Sequence, residues 1–291
     1  MNGWVYIHGK WMREEEATIS VLDLSVLRGY GVNDYMRTYG RQFFKLQEHI
    51  LRFQRSAQKV GLEVPITNRA IATIIEEAKE HVTSGEISLK LILTGGISPD
   101  QFSPMGNSTF FVTAYPFTPF PDRYFIEGIK VITECYTRPI PQAKSIDYLH
   151  AIVAIRKAQK MGAIDVLFHN EQGCLLEATT ANFFAVKGKR LITPPASCVL
   201  QGLTRQIVLK LAKKLFTIVE EKEVYCHEIP LFDGAFLTSS TKEVMPISQI
   251  NEHVLPIPEK IGSLMKEFAY CTTHILPPMQ ENKYESLQAK Q

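Results

Sequence analysis

The sequence predicts a two-domain protein of mixed α/β (α+β) class, and three observations lead to that prediction. Its 291 residues exceed what one compact core usually holds, so one large or two medium domains are expected. Strand-like and helix-like runs are mixed in both halves of the chain. Between them, residues 116–122 carry three prolines, which neither a helix interior nor a central strand accommodates. We therefore expect a small N-terminal domain over residues 1–115, a linker over 116–122 and a larger C-terminal domain over 123–291.

The N-terminal half begins with a pattern typical of a β-hairpin, which runs from Trp4 to Trp11 with Gly9 at the turn. From Gln47 the apolar residues recur at the spacing of one helix face, and Gly61 supplies a stop signal. The same reasoning predicts a second helix from about Thr67 and two strands, Ile87–Thr94 and Thr109–Tyr115.

The C-terminal half alternates predicted strands and helices. Turn signals separate two pairs of strands, which are Val166–His169 with Cys174–Thr179 and Asn182–Val186 with Arg190–Thr193. Helices are predicted at Leu149–Met161, at Arg205–Leu215 and after Pro258. The last dozen residues are polar, and we expect them to fray.

Composition narrows the possible partners and the compartment. The formal net charge is only +2 and the basic residues are scattered, which argues against nucleic acid or an acidic membrane surface as the main partner. Five widely spaced cysteines without a Cys-x-x-Cys pair, and histidines without ligand spacing, argue against a disulfide framework or a metal site. With no leader pattern and no long apolar run, we expect a soluble, cytoplasmic protein.

Three short segments place polar residues where a strand, a turn and a helix start meet. In Leu200–Arg205, Gly202 permits a tight turn, Thr204 is expected to cap the next helix, and free backbone amides would suit a phosphate. An ordinary capped helix explains the same residues. Phe236–Thr241 ends in four hydroxyl residues, which fit either an anion cup or a solvated turn.

The third segment is Ala143–Leu149, which precedes an amphipathic helix. Partial desolvation of Lys144 would favour a nucleophilic amine, although most lysines are simply exposed. Glu177 interrupts an apolar run, so it is either an exposed strand residue or a buried carboxylate that needs a cationic partner. No one of these segments decides the function by itself.

Taken together, six segments in the same order resemble the class IV aminotransferases, the family of branched-chain and D-amino acid aminotransferases and aminodeoxychorismate lyase. The resemblance runs from Trp4 to about Ile250. The segments are Asp23–Tyr39, Glu48–Arg52 (Glu-His-Ile-Leu-Arg), Ala143–Leu149 (Ala-Lys-Ser-Ile-Asp-Tyr-Leu), Glu177–Phe183 (Glu-Ala-Thr-Thr-Ala-Asn-Phe), Gly202–Arg205 (Gly-Leu-Thr-Arg) and Leu237–Glu243 (Leu-Thr-Ser-Ser-Thr-Lys-Glu).

The resemblance implies a pyridoxal 5′-phosphate enzyme of fold type IV, with a barrel-like sheet in the larger domain and homodimeric assembly. Lys144 would hold the cofactor as a Schiff base and shuttle the proton at the substrate Cα. Glu177 would pair with the pyridine nitrogen, and Arg52 would contact the phosphate. Leu200 would pack against one ring face, and the remaining phosphate positions would be Leu203, Thr204, Ser239 and Ser240.

The substrate pocket is expected to include Asn33, Arg37, Arg138, Tyr148 and Thr241, and Asn182 also matches a recurrent family position. Two features depart from the family pattern. Asn33 stands where the family usually has Phe or Tyr, which alters side-chain preference or reaction type. Asp100 and Phe102 stand near the Arg and His that bind the substrate carboxylate in D-amino acid aminotransferases, so a trap of that kind is not expected. Arg37 matches a family arginine that could steer a carboxylate, although a surface salt bridge is equally compatible with its position.

These residues predict transamination between an amino acid and a 2-keto acid. The alternative is aminodeoxychorismate lyase, which uses the same chemistry to release pyruvate and 4-aminobenzoate. The hydroxyl-rich Thr238–Thr241 turn and the sequence Lys144-Ser-Ile-Asp favour the transaminases. A more remote alternative is a cofactor-binding protein that has lost catalysis, but Lys144 and Glu177 are both present.

Overall fold

A computed structural model describes residues 3–274. The first six strands form one antiparallel sheet. The strand order is β2-β1-β6-β5-β3-β4. Helices α2 and α3 pack on this sheet, and their apolar faces make one core with β3, β5 and β6. The elements are β1 (Trp4–Ile7), β2 (Lys10–Arg13), α1 (Leu24–Arg28), β3 (Gly31–Tyr39), β4 (Gln42–Phe43), α2 (Leu46–Lys59), α3 (Asn68–His81), β5 (Ile87–Thr94) and β6 (Thr109–Pro116).

The remaining nine strands form a second sheet, in the order β12-β11-β10-β13-β14-β7-β8-β9, with β15 paired to β14 off this path. A pairing of β9 with β10, where Glu177 lies opposite Asn182, joins six of these strands into a closed ring. The elements are α4 (Arg123–Ile126), β7 (Ile129–Cys135), α5 (Leu149–Lys160), β8 (Asp165–His169), β9 (Leu175–Ala178), β10 (Asn182–Lys187), β11 (Arg190–Thr193), α6 (Leu203–Ala212), β12 (Ile218–Glu221), β13 (Gly234–Ser239), β14 (Glu243–Ile250), β15 (His253–Val254) and α7 (Glu259–Thr273), with a short 3₁₀ helix at Cys226–Leu231.

The closed ring confirms the expected mixed α/β fold with a barrel-like sheet. Its interior is filled by alternating apolar side chains from opposite strands, which is how a small barrel excludes water. A further apolar cluster lies outside the ring, where α6 and α7 cover β10 and β13. The strands of the first sheet end at Pro116, and those of the second sheet all follow residue 122. We therefore propose that 1–115 and 123–291 are the two domains and that 116–122 is the linker.

The predicted elements are present, with one correction at the start of α6. The expected helix Arg205–Leu215 begins two residues earlier and ends three residues earlier, at Ala212. The prediction that Thr204 caps it was wrong, because Gly202 is the N-cap and no side chain accepts a capping hydrogen bond. A Cβ on Gly202 would lie 2.1 Å from the Asn182 Oδ1 atom, so the chain must enter the helix at a glycine. The last dozen residues, for which fraying was predicted, lie outside the described range.

Candidate active site

A cavity of about 580 Å³ lies where the first sheet meets the open end of the ring. Its wall is formed by β3 and β5 on one side, and on the other by the ends of β9, β10 and β13, the start of α6 and the segment before α5. This cavity brings together the predicted site residues Asn33, Arg52, Arg138, Lys144, Tyr148, Glu177, Asn182, Leu200, Leu203, Thr204, Ser239, Ser240 and Thr241.

Lys144 enters the cavity from a segment that is tied to the first sheet. Its backbone carbonyl accepts from Asn33 N at 2.8 Å, and its backbone N–H donates to Ser56 Oγ at 3.1 Å. The Lys144 Nζ atom lies 3.4 Å from the Tyr148 hydroxyl. The positive charge of Lys144 lowers the pKa of the Tyr148 phenol, and this outweighs the opposing effect of burial. The amine is thus held in place beside a phenol that can share a proton with it.

The Asn33 side chain binds the backbone of the segment that carries Lys144. The Asn33 Nδ2 atom donates to the Ser145 carbonyl at 2.9 Å and lies 3.5 Å from the Lys144 carbonyl. The side chain is buried, and unpaired carbonyls there would be costly. Asn33 therefore joins β3 to the lysine segment in addition to lining the cavity.

Of the two alternatives that the sequence left for Glu177, the structure has the second, a buried carboxylate with a cationic partner. Its Oε1 atom accepts from Arg138 Nε at 2.9 Å and from Arg138 Nη2 at 2.6 Å. Its Oε2 atom accepts from the Leu200 N–H at 3.0 Å and from Asn182 Nδ2 at 3.3 Å. Arg138 also donates to the carbonyls of Pro141 and Ala143, next to Lys144. One guanidinium thus connects the carboxylate to the lysine segment, and the charge of Glu177 is stabilised in a buried position.

An anion-binding cup lies at the other end of the cavity. The N-terminus of α6 presents the backbone amides of Leu203 and Thr204 without a side-chain cap, which leaves them free for a bound anion. The turn after β13 adds the hydroxyls of Ser239, Ser240 and Thr241 to the same wall. The start of α6 and the hydroxyl turn therefore line the same cavity. Neither segment by itself indicated this in the sequence.

Arg52 brings a positive charge to this cup and is held by a buried carboxylate. Arg52 Nε and Nη2 each donate to Asp34 at 2.8 Å, and His49 Nδ1 lies 2.7 Å from Asp34 Oδ1. Burial acts to raise the pKa of Asp34, but the charges of Arg52 and His49 outweigh it and hold this pKa well below its usual range. Burial lowers the pKa of His49. Arg52 is thus a buried cation that α2 and Asp34 hold in place, and it is not a solvated surface residue.

Comparison with known proteins decides the family. The family model for amino-transferase class IV matches residues 31–250. The chain belongs to the class IV aminotransferases. It is accordingly a pyridoxal-phosphate-dependent enzyme, as the sequence predicted.

The aminotransferase resembles curated proteins along nearly its whole length. It is 30% identical over 271 residues to a putative branched-chain-amino-acid aminotransferase of Methanocaldococcus jannaschii, covering 90% of this chain and 93% of that one. It is 29% identical over 258 residues to a D-alanine aminotransferase of Listeria monocytogenes, covering 85% and 87%.

Solved structures share its fold. A branched-chain aminotransferase from Thermoproteus uzoniensis with norvaline is 27% identical, with a TM-score of 0.83 and coverage of 92% and 94%. The T.th. branched-chain amino acid aminotransferase with pyridoxamine 5′-phosphate is 23% identical, with a TM-score of 0.86 and coverage of 95% and 96%. The fold-type prediction is thereby confirmed.

The cavity of this aminotransferase fits pyridoxal phosphate in three respects. The cup would offer amides, hydroxyls and Arg52 to a phosphate, Lys144 would offer an amine, and Glu177 would offer a carboxylate to a protonated ring nitrogen. The buried Thr238 hydroxyl also lines the cavity and has no hydrogen-bond partner within residues 3–274. A buried unpaired hydroxyl is costly, so its presence is consistent with a polar ligand.

Arg37 is the predicted pocket residue that the aminotransferase does not bring into this cavity. Its guanidinium is 3.2 Å from Glu243 Oε1, and it stacks on the rings of Phe117 and Tyr39 at 3.6 and 4.2 Å from their centroids. It lines a separate space of about 10 Å³ behind the cup, beside Ser240. This position gives the carboxylate-steering role predicted for Arg37 no support.

Several lining residues of the aminotransferase were missed by the sequence reading. On β3 and β5, Asn33 is opposite Ile92 and Tyr35 is opposite Lys90, so the four side chains share one face of the sheet. The two-residue period of β3 could have added Tyr35 to Asn33, but only the strand register identifies Lys90 and Ile92. Other missed residues are Tyr136, Ile152, Phe168, Thr179, Thr180 and Thr238.

Proposed function

We propose that this aminotransferase carries its cofactor on Lys144 and transfers amino groups between apolar amino acids, of the branched-chain type, and 2-keto acids. The single observation that carries the Lys144 assignment is its place in the cavity. Its amine lies in the same volume as the anion cup and the buried Glu177, which are the two ends that a phosphorylated pyridine needs.

Pyridoxal phosphate, when bound, supplies an electrophilic aldehyde and a ring that accepts electron density from the substrate Cα. The cup and Arg52 would hold its phosphate, and Leu200 would pack against the ring. Glu177 would hold a proton at the ring nitrogen, and Arg138 orients its carboxylate through two hydrogen bonds. Lys144 takes the proton from the substrate Cα and returns it, with Tyr148 at 3.4 Å to orient the amine.

Two features of the cavity support this class of substrate. Ile92, Ile152 and Phe168 give it an apolar wall, which suits an aliphatic side chain. The Lys90 side chain also lines it and has no hydrogen-bond or ion-pair partner within residues 3–274, so its charge is available for a substrate carboxylate.

The loop after β5 supports the L configuration over the D configuration. Asp100 Oδ1 accepts from Ser98 Oγ at 2.6 Å and from the N–H groups of Phe102 and Ser103. These hydrogen bonds, that from Ser98 first, hold the pKa of Asp100 well below its usual range. Both Asp100 and Phe102 are exposed and are not among the residues that line the cavity. A carboxylate trap like the one expected in D-amino acid aminotransferases therefore has no counterpart in this loop.

The cofactor assignment is tested by the visible spectrum of the purified protein with pyridoxal phosphate. We expect an absorption band in the wild type and in Lys160→Ala, a control at an exposed lysine of α5, and no such band in Lys144→Ala. Activity of Lys144→Ala should fall by about 10⁴-fold, the upper range for a positioned acid–base group. A wild-type protein that stays colourless would contradict the proposal.

The reaction is tested by adding L-leucine, L-valine, D-alanine and aminodeoxychorismate in turn. Loss of the band with a branched L-amino acid, and its recovery with a 2-keto acid, is the expected result. A faster response to D-alanine would reverse the configuration. Release of pyruvate and 4-aminobenzoate without a keto-acid acceptor would identify the lyase instead, and binding without any turnover would identify a non-catalytic protein.

We also propose that the enzyme is a cytoplasmic homodimer. Leu149, Ile152 and Val153 are 58–74% exposed on one face of α5, and Ile152 also lines the cavity, so a partner covering this face would help to close the site.

Five unpaired cysteines fit a reducing compartment. Within residues 3–274, no helix is long and apolar enough to cross a membrane. Sedimentation of the wild type and of Val153→Glu tests the interface, since the substitution should yield monomers.

A further inference from the structure

A buried ion pair that the proposed mechanism does not use lies directly behind the cofactor cavity. Lys242 Nζ is 3.2 Å from Asp165 Oδ2, and the two side chains are 6% and 2% exposed. Lys242 follows the hydroxyl turn of the cup, whereas Asp165 is the first residue of β8. Burying two charges is expensive unless each is fully satisfied, so such a pair needs further partners.

Those partners are two threonines that line the cavity. Lys242 Nζ donates to Thr180 Oγ1 at 2.8 Å. Asp165 Oδ1 accepts from the Thr179 hydroxyl at 2.6 Å and from the Thr179 N–H at 3.3 Å. It also accepts from the Val166 N–H at 2.8 Å. The ammonium lies 5.4 Å from the centroid of the Phe120 ring, which adds a cation–π contact from the linker. The pair is therefore satisfied mainly through Thr179 and Thr180.

The position of these threonines gives the pair its significance. Thr179 and Thr180 form the tight turn between β9 and β10, where the Ala178 N–H donates to the Ala181 carbonyl at 2.7 Å. Glu177 and Asn182 lie two residues before and after these threonines, and their pairing closes the ring. Lys242 thus fastens the cup turn to the turn that carries Glu177.

We propose that Lys242 and Asp165 form a buried clamp that fixes the phosphate end of the cofactor site relative to the ring-nitrogen end. This inference rests on the proposed function. In it Lys242 is a positioning residue, which acts through Ser239–Thr241 on one side and through Thr179, Thr180 and Glu177 on the other. Neither charge needs to touch the cofactor.

The clamp matters most when the cofactor is not covalently held. Once Lys144 has been released to act as a base, only non-covalent contacts retain the amino form of the cofactor, and these contacts come from the two turns. A loosened clamp should weaken retention of pyridoxamine phosphate more than retention of pyridoxal phosphate, because the bond to Lys144 masks part of the loss in the second case.

The test compares the dissociation constants of pyridoxamine phosphate and pyridoxal phosphate for the intact protein and for Lys242→Met. We expect the constant for pyridoxamine phosphate to rise by about 10-fold, the effect of losing one charge-assisted hydrogen bond, and that for pyridoxal phosphate to rise less. Lys214→Met is the matched control, because it removes an exposed lysine paired with Glu267. It should change neither constant.

Thr180→Val is the second variant and keeps the test decisive if Lys242→Met does not fold. It removes only the hydroxyl that accepts from Lys242, and it should shift the ratio of the two constants in the same direction. If both variants melt at a lower temperature but keep the wild-type constants, the clamp is merely structural and the inference is overturned. If wild-type protein binds neither form, the proposed function itself is wrong, which is a distinguishable result.

Discussion

The two ends of the cavity are built on different principles. At the cofactor end, Glu177, Arg138 and Arg52 are buried or half-buried, and their charges are satisfied by other parts of the protein. At the substrate end, Tyr35 and Lys90 project from the face of an open sheet, and Lys90 has no partner within residues 3–274. The charged side chains at the cofactor end are therefore held in place before any ligand binds. At the substrate end, the charge of Lys90 is free to bind a ligand.

The two ends of the cavity should differ in how many properties of the enzyme a substitution changes. A residue whose hydrogen bonds are all made within the protein acts through its neighbours, so substituting it disturbs several contacts at once. A residue without partners affects only the ligand that it binds. Substitutions at the cofactor end should therefore alter kcat, cofactor binding and stability together, while those at the substrate end should alter KM alone.

After the loss of Lys144 itself, the largest effect is expected for Glu177→Gln. The amide cannot hold a proton at the ring nitrogen, and it leaves Arg138 without a negative partner in a half-buried position. We expect kcat to fall by roughly 10²–10³-fold, comparable to the loss of one transition-state charge contact. The rate at which the cofactor band disappears in a single turnover, after addition of L-leucine, reports the size of this fall. Glu171→Gln, at an exposed turn, is the control, and an unchanged kcat in Glu177→Gln would remove Glu177 from the site.

Asp34→Asn tests whether the cup depends on the charge behind it. It weakens both hydrogen bonds from Arg52 and leaves that cation buried, which should lower the free energy of unfolding by about 3 kcal/mol. The folded-state pKa of Asp34 is depressed, so its contribution is present above the unfolded pKa of about 3.9 and is lost as the pH falls through the folded value. Urea unfolding at several pH values should therefore show a constant deficit from pH 7 down to about pH 5, which shrinks only below pH 4. A deficit that grew on acidification would contradict the assignment.

The same contrast explains what the sequence could and could not predict. Lys144, Glu177 and the Gly202–Arg205 segment were identified because they sit in contiguous motifs whose order along the chain matched the family. Predicting the strands and helices was possible because hydrophobic spacing and turn residues act locally. The register of β3 against β5, which places Lys90 beside Tyr35, depends on contacts between distant segments. The capping role predicted for Thr204 failed for a related reason, since Asn182 packs against Gly202 from another strand.

Lys90→Met tests the substrate end by removing the charge while keeping most of the side-chain length. We expect KM for an amino acid to rise by about 10-fold, the lower range for a charge-assisted hydrogen bond, while kcat changes little. The cofactor spectrum and the melting temperature should stay at wild-type values, because Lys90 has no partner within residues 3–274 to lose. Steady-state kinetics with L-leucine measures both constants, and Lys10→Met, at the exposed first residue of β2, is the control. A fall in kcat with unchanged KM would mean that Lys90 belongs to the cofactor end.

The smallest effect is expected for Thr238→Val, which replaces a hydroxyl by a methyl group of similar size. The Thr238 Oγ1 atom is buried and has no hydrogen-bond partner within residues 3–274, so its removal should raise the free energy of unfolding of the cofactor-free protein by about 1 kcal/mol. If the hydroxyl serves the cofactor, affinity for pyridoxal phosphate should fall about 5-fold at the same time. Calorimetry with and without cofactor separates the two quantities. Opposite signs in the free and bound protein would show that the cofactor end reserves a polar atom for its ligand, as the substrate end does with Lys90. A gain in both would show that the Thr238 hydroxyl does not serve the cofactor.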